Sequence, residues 1–212
     1  MPSVAIVTLD GFNEIDSFVA SYIIGRVQPA WTVGIACPTA QVTSMNGVVV
    51  HAQMTLEDAA QADAVIVGSG VRTRDYAADP EFLARMAFDP SRQLIGSQCS
   101  GALLLKRMGL LEGVPVCTDL TTKPWVLETG ADVVDKPFHA EGNVATAGGC
   151  LSGQYLAAWI IARLSGIDAA SEALFAVAPV GEKHEYVERA LGHVRPHLYA
   201  AGSPVGSSVA PG

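Results

Sequence analysis

An alternation of short apolar runs with helical segments constrains this chain most. Four runs rich in Val and Ile occupy residues 4–9, 31–37, 64–69 and 93–98. Runs of this kind suit strands that are covered on both faces, as in a parallel sheet. Between them, 14–27 and 79–88 have helical periodicity, and Asp79 and Pro80 are suited to the N-cap and first helical position. The pattern predicts a doubly wound α/β sandwich with helices on both faces of the sheet.

Several segments depart from this alternation. Asn46-Gly47 lies between two β-prone runs and predicts a hairpin. Residues 113–119 favour another strand, and Trp125 lies in a helix expected to end near Gly130. Two strands are expected around the turn formed by Glu141, Gly142 and Asn143. From Cys150 to about Leu164 we expect a long apolar helix, with further helices to roughly Leu198.

Length and composition set broader limits. A chain of 212 residues predicts one domain, assigned to 1–199, and the Gly, Ser and Pro of 200–212 favour a flexible tail. A formal charge of -8, with 16% charged residues, argues against a nucleic-acid partner. No apolar run is long enough for a membrane span, and the N-terminus does not resemble a signal peptide. We therefore expect a cytoplasmic protein with no membrane partner.

The four cysteines lie far apart, without the short paired spacings of zinc sites, so we expect no metal and no cofactor. Cys99 follows a predicted strand and precedes a predicted helix, where ligands bind in parallel α/β sheets. Gly96 and Gly101 permit a tight, strained turn, and the helix from Ser100 is expected to lower the pKa of an exposed thiol. The alternative is a small buried core residue, as most free cysteines are.

Two further loops follow neighbouring predicted strands. In VGSG, Gly68 and Gly70 flank Ser69 and would leave amides open to an anionic oxygen, although a plain glycine turn has the same sequence. In DGFNEIDSF, a buried Asp16 could donate a hydrogen bond to the Cys99 sulfur and carry its proton. Its neighbour Glu14 is similarly placed, and acidic residues in a first helical turn are also ordinary.

Together, DGFNEIDSF, VGSG, SQCSGALLL, MGLLEG and GNVATAGGCLSG resemble the ThiJ/PfpI family of the class I glutamine amidotransferase-like superfamily. The resemblance covers nearly the whole chain and implies a flavodoxin-like fold. It also implies a nucleophilic Cys99, an acid at Asp16, and oxyanion-binding amides near Gly70 and at Ser100. The branch that this chain resembles most is that of the isocyanide hydratases. Family members are usually homodimers, which we carry over as an expectation.

One departure from the family concerns a histidine. Where Cys-His members place it after the nucleophile, this chain has CTDLTTKPW, with Asp119 at that position. Asp119, beside Thr118, could position water or a polar group, or could simply cap local backbone. Cys117 could line the site, although core packing is favoured. The five histidines, His51, His139, His184, His193 and His197, lie elsewhere in the sequence.

The resemblance therefore favours hydration of an isocyanide to an N-formamide through a Cys99 adduct, with Asp16 handling the proton and a small electrophile as the partner. Three alternatives remain open. Cys99 could be an oxidant sensor without turnover, because oxidation also follows thiolate character and access. The thiol could act on α-oxoaldehydes, as a glyoxalase or deglycase. A ligand-binding module is the third, and the absence of a helix-turn-helix segment ranks it last.

Overall fold

The computed structural model describes residues 1–27, 29 and 31–198. The strands are β1 Ser3–Val7, β2 Thr32–Ala36, β3 Gln41–Thr43, β4 Val49–His51, β5 Ala64–Val67, β6 Leu94–Gln98, β7 Phe138–Glu141 and β8 Val144–Ala147. The α-helices are α1 Glu14–Ile24, α2 Leu56–Ala59, α3 Thr73–Ala77, α4 Pro80–Arg85, α5 Gly101–Arg107, α6 Lys123–Leu127, α7 Gly153–Ser165, α8 Ile167–Val177 and α9 Lys183–Val194. Short 3-10 helices span Cys150–Ser152 and Arg195–His197.

Six strands form the central sheet, in the order β2-β1-β5-β6-β8-β7. All neighbouring pairs are parallel except β7 with β8. The four apolar runs predicted as strands are β2, β1, β5 and β6, which lie side by side. The mostly parallel flavodoxin-like α/β fold is therefore confirmed. Parallel order brings the carboxyl ends of β1, β5, β6 and β8 to one edge, where ligands bind in such sheets.

Each face of the sheet has its own hydrophobic layer. One layer packs α1, α7, α8 and α9 around the fully buried Trp159. The other layer packs α2, α4 and α5 against the opposite face, with Met86 and Leu104 buried in it. β5 is buried at every position, which explains why its sequence, AVIV, lacks the alternation of a half-exposed strand. The two layers fix the sheet edge from which the loops of the candidate site emerge.

The strand predicted at 113–119 is wrong. Only Val116 makes a β-bridge there, to Val133. Pro115 has no N–H to donate, and the amide of Cys117 donates to the Thr146 hydroxyl at 2.8 Å instead of to a strand. The backbone of this segment therefore forms its hydrogen bonds without joining a β-ladder.

The other local predictions are confirmed, with differences at element ends. β3 and β4 pair around Asn46-Gly47, and β7 and β8 pair around Gly142, which has a positive φ of 59°. Asp79 caps α4 by accepting from the amides of Glu81 and Phe82. The long helix after Cys150 begins as a 3-10 turn, and α2 and α3 were not predicted.

The predicted tail, 200–212, lies outside the described residues, and the assignment of 1–199 to one domain stays a prediction. Among the helices that the structure describes, none combines the length and apolar character that a bilayer crossing requires.

Candidate active site

Cys99 occupies a strained turn between β6 and α5. Its φ is 48°, and no other non-glycine residue in the described part of the chain has a positive φ. For such a residue this conformation costs roughly 1–3 kcal/mol, and it persists only where the surroundings enforce it. The Cys99 amide donates to the Ala147 carbonyl at 2.8 Å, and the Thr118 hydroxyl donates to the Cys99 carbonyl at 2.9 Å. The predicted strained elbow is therefore confirmed.

Close packing of the elbow on β5 requires glycine at position 101. A Cβ built on Gly101 would lie 2.4 Å from the Val67 carbonyl oxygen and 2.8 Å from that of Gly68. Both distances are shorter than any tolerable contact, and the opposing atoms are backbone that cannot move aside. The sequence pattern Cys-Ser-Gly thus lets the helix after the nucleophile lie directly against the neighbouring strand.

A cavity of about 280 Å³ opens over this elbow at the carboxyl edge of the sheet. Its lining consists of Asn13, Asp16, Met45, Ser69, Gly70, Val71, Cys99, Ser100, Asp119, Thr121, Thr122, Trp125 and Cys150. Cys99 lines the cavity but is only 2% exposed, so the exposed thiol predicted from the sequence is wrong. Three larger cavities elsewhere reach neither Cys99 nor Asp16.

Asp16 is the buried carboxyl group of this site. It is completely buried, and the Ser69 hydroxyl donates to its Oδ2. Its Oδ1 has no conventional hydrogen-bond partner among the described residues. One Asp16 carboxylate oxygen and the sulfurs of Cys99 and Cys150 all lie within 4.8 Å of one another. An oxygen of the Asp16 carboxyl group is therefore close enough to both thiols for proton exchange.

Glu14 points elsewhere, which separates it from Asp16. Its carboxylate accepts hydrogen bonds from the Ser44 hydroxyl and from Asn46 Nδ2, on the β3–β4 hairpin. These bonds hold the pKa of Glu14 below its usual value. Because α1 turns by about 100° per residue, two positions in one turn face different surroundings.

Burial sets the protonation state of the pair. It raises the pKa of Asp16, and it also raises the pKa of Cys99, to which the charge of Asp16 adds a further upward shift. The pKa lowering that we expected from the helix after Ser100 is therefore wrong, because desolvation of the buried thiol dominates. Cys99 therefore rests as a protonated thiol beside a carboxyl group of increased basicity.

The predicted oxyanion donors differ in availability. The amide of Gly70 donates to the Thr73 hydroxyl at 3.1 Å, so the open amide predicted there is wrong. The amide of Ser100 finds no acceptor in the described part of the chain. Ser100 also adjoins Cys99 and the cavity, and its hydroxyl lies 2.9 Å from that of Thr73. Ser100 is the donor whose position suits an anionic intermediate.

Hydrogen bonds of Asp119 and Thr118 fix the loop at residues 118–122, part of which lines the cavity. Asp119 accepts from the amides of Thr121 and Thr122 and, at 2.6 Å, from the Thr122 hydroxyl, so it caps local backbone. The Thr118 hydroxyl contacts that of Thr122 at 2.8 Å as well as the Cys99 carbonyl. Asp119 lines the cavity, whereas Thr118 acts on the site by holding the elbow.

Histidine takes no part in this site. All five histidines belong to the described residues, and none lines the cavity. His139 and His197 contact each other beside β7, and His184 and His193 pack on Phe175 and Tyr155. The ionisable group beside the Cys99 and Cys150 sulfurs is consequently the carboxyl group of Asp16.

Three side chains of the site, those of Asn13, Gln98 and Cys150, were not predicted from the sequence. Cys150 follows β8, and its sulfur accepts a hydrogen bond from Asn13 Nδ2 at 3.3 Å. Gln98 Nε2 donates to the Gly149 carbonyl at 2.8 Å and contacts the Cys99 sulfur at 3.5 Å. Two cysteines after strand-like runs were a signal, but only the pairing of β6 with β8 makes them neighbours. Asp16, Cys99 and Cys150 are also a possible metal-binding set.

A parallel α/β sheet with a strained cysteine elbow and a buried carboxyl defines a class of proteins with a cysteine-based site. The model of the DJ-1/PfpI family matches residues 2–163, and the chain belongs to this family. No curated protein sequence matches the chain significantly.

Solved structures share the fold. A ThiJ/PfpI family protein from Pseudomonas syringae superposes with a TM-score of 0.73 at 21% identity, over 92% of this chain and 88% of its own. DJ-1 of Schizosaccharomyces pombe gives 0.72 at 18% identity, over 84% and 99% of the two chains. A cysteine-to-alanine mutant of a DJ-1 superfamily protein from Salmonella typhimurium gives 0.67 at 27% identity, over 80% and 94%.

Proposed function

We propose that this protein is a cysteine-dependent hydratase that converts an isocyanide into its N-formamide. The observation that carries the proposal is the Cys99 thiol beside the buried Asp16 carboxylate, in a cavity that no histidine lines. Addition to an isocyanide needs a nucleophile and one group that accepts and returns a proton. It does not need the near-neutral acid that an amine leaving group requires.

In the first step, the Cys99 sulfur attacks the terminal carbon of the isocyanide while Asp16 takes the thiol proton. The raised pKa of Asp16 makes it a stronger base for this transfer than an ordinary carboxylate. The neutral Asp16 then protonates the same carbon, which leaves a thioimidate, R–N=CH–S, on Cys99. Charge that develops during the addition falls near the free amide of Ser100.

In the second step, water adds to the thioimidate carbon and one of its protons passes to nitrogen. The tetrahedral adduct collapses to the C=O bond and expels the Cys99 sulfur. The hydroxyl proton returns through Asp16 to the thiolate, and R–NH–CHO leaves. The net reaction adds one water to the isocyanide and restores both side chains.

The cavity wall supports a substrate with an apolar substituent. Met45, Val71 and Trp125 line it, and Met45 and Val71 are 49% and 60% exposed. An aryl or branched alkyl group could cover these side chains while its isocyanide carbon faces the sulfur. A volume of about 280 Å³ suits a small molecule of this kind.

The test is hydration of an aryl isocyanide, followed by its ultraviolet absorbance, by reduced protein and by Cys99→Ala. Formamide production by the wild type alone is the expected result. Lactate formation from methylglyoxal, measured with the same preparations, distinguishes the glyoxalase alternative. Turnover of methylglyoxal without any turnover of isocyanides would overturn the proposed reaction.

We also propose a cytoplasmic homodimer, as the resemblance implies. Support comes from apolar side chains exposed on the outer face of α1, namely Ile15, Phe18 and Tyr22. Light scattering after size exclusion is expected to give twice the chain mass of 22.1 kDa. A concentration-independent monomer would contradict the dimer.

A further inference from the structure

Cys99 and Cys150 meet because their strands are parallel neighbours. In the β6–β8 ladder Gln98 is aligned with Ala147, so both chains leave the sheet at the same edge. Cys99 follows β6 by one residue and Cys150 follows β8 by three. Their sulfur atoms lie within 4.8 Å of each other.

Hydrogen bonds hold the Cys150 turn against the elbow. Gln98 Nε2 donates to the Gly149 carbonyl at 2.8 Å and lies 3.4 Å from that of Cys150. Gly149 has a φ of 86°, a conformation suited to glycine, which turns the chain back towards the cavity. Asn13 Nδ2 donates to the Cys150 sulfur at 3.3 Å, so this thiol has a defined position.

The two thiols differ in access. Cys150 is partly exposed, whereas Cys99 is 2% exposed at the floor of the cavity. The other two cysteines, Cys37 and Cys117, are buried and do not line this cavity. A small oxidant that enters the cavity therefore meets two adjacent thiols, and the hydratase mechanism uses only one of them.

We propose that Cys150 is a resolving cysteine, which forms a reversible disulfide with Cys99 when a peroxide oxidises the site. This inference extends the proposed function, on which it rests for the role of Cys99 as nucleophile. The Cys99 sulfur attacks a peroxide oxygen while Asp16 takes the thiol proton; the O–O bond breaks, the proton passes to the leaving oxygen, and Cys99 sulfenic acid and water (or an alcohol) form. The Cys150 sulfur then attacks the Cys99 sulfur and displaces water.

Overall, two thiols are oxidised by two electrons and one peroxide is reduced. The sulfurs, which lie within 4.8 Å of each other, must approach to about 2.05 Å for the disulfide to form. The disulfide blocks the nucleophile and diverts sulfenic acid from irreversible oxidation to sulfinic acid. A dithiol reductant restores both thiols, so the site would be switched off by peroxide and on again by reduction.

The test uses full-length protein, hydrogen peroxide and intact mass spectrometry, without any substrate. Reduced wild type is expected to lose the mass of two hydrogens, to regain it with dithiothreitol, and to yield a peptide that links Cys99 to Cys150. Cys150→Ser is expected to gain the mass of two oxygens at Cys99, which dithiothreitol does not remove. Cys117→Ser is the matched control and should form the disulfide as the wild type does.

Formation of sulfinic acid on wild-type Cys99 without a disulfide would overturn the inference, as would a disulfide to Cys37 or Cys117. Resistance of both thiols to peroxide would also overturn it. Peptide mapping of the oxidised wild type tests the disulfide without any variant. The inference can therefore be contradicted even if Cys150→Ser folds poorly. Isocyanide turnover, measured separately, shows whether the proposed function fails independently.

Discussion

Cys99 and Cys117 are both buried cysteines that follow apolar runs, yet their surroundings differ. Burial raises the pKa of Cys117 to about 11 despite opposing effects of Thr146 and Lys136, and its amide donates to the Thr146 hydroxyl. Cys99 differs in three respects: its φ is strained, it lines a cavity, and it lies beside Asp16, whose carboxyl group has an unpaired oxygen. Burial alone therefore does not separate the two cysteines. Backbone strain and an unsatisfied neighbouring acceptor distinguish the candidate site.

The largest effect expected from this comparison is on turnover. Cys99→Ala removes the proposed nucleophile and should lower isocyanide hydration by about 10³-fold or more. Cys117→Ala removes a thiol of similar burial and should leave turnover intact, at a cost of about 1 kcal/mol in stability. Steady-state rates and thermal melts of both variants check the contrast. Equal losses of turnover would erase the distinction between the two cysteines.

Asp16 and Glu14 sharpen the comparison within one helix. Asp16→Asn removes the proton acceptor and should lower turnover by about 10²- to 10⁴-fold. Glu14→Gln changes a carboxylate that faces the hairpin and should leave the rate nearly unchanged. Parallel rate measurements decide the point. A larger loss of turnover in Glu14→Gln than in Asp16→Asn would show that Asp16 is not the proton acceptor.

Substitutions of two glycines contrast the packed elbow with an exposed position in α9. Gly101→Ala forces a methyl group against the Val67 carbonyl and should destabilise the protein by about 1–3 kcal/mol. Gly192 lies in α9 with no atom within 4 Å of a built Cβ, so Gly192→Ala should stabilise by about 0.5–1 kcal/mol. Denaturant unfolding measures both changes, and the same sign in both would contradict the packing described for α5.

The pH dependence of stability should have opposite signs at Asp16 and Glu14. Burial raises the folded pKa of Asp16 above 3.8, so stability is lost as pH rises from 3.8 through the folded pKa. Asp16→Asn should therefore melt higher than wild type at neutral pH, with the difference shrinking below pH 3.8.

Hydrogen bonds lower the folded pKa of Glu14, so its contribution is present above the ordinary value of 4.5 and is lost on acidification. Glu14→Gln should accordingly melt slightly lower than wild type at neutral pH. Melting curves across this range give both signs, and a stabilising Glu14→Gln would contradict the contacts with Ser44 and Asn46.

The local sequence pattern predicted most of the central strands and the turn at the candidate nucleophile. Val-rich and Ile-rich runs located β1, β2, β5 and β6, and the residues around Cys99 predicted its strained turn. What depends on distant pairing was not predictable: Cys150 joins the site only because β8 lies beside β6. The pKa of Cys99 was predicted in the wrong direction, because burial depends on packing from the whole chain.

The most direct test of the central claim is intact mass spectrometry of protein quenched during isocyanide turnover, followed by peptide mapping. The account predicts an added mass equal to the whole isocyanide, located on Cys99 and absent from Cys99→Ala. Formamide production that persists in Cys99→Ala, or an adduct that forms only on another residue, would contradict it.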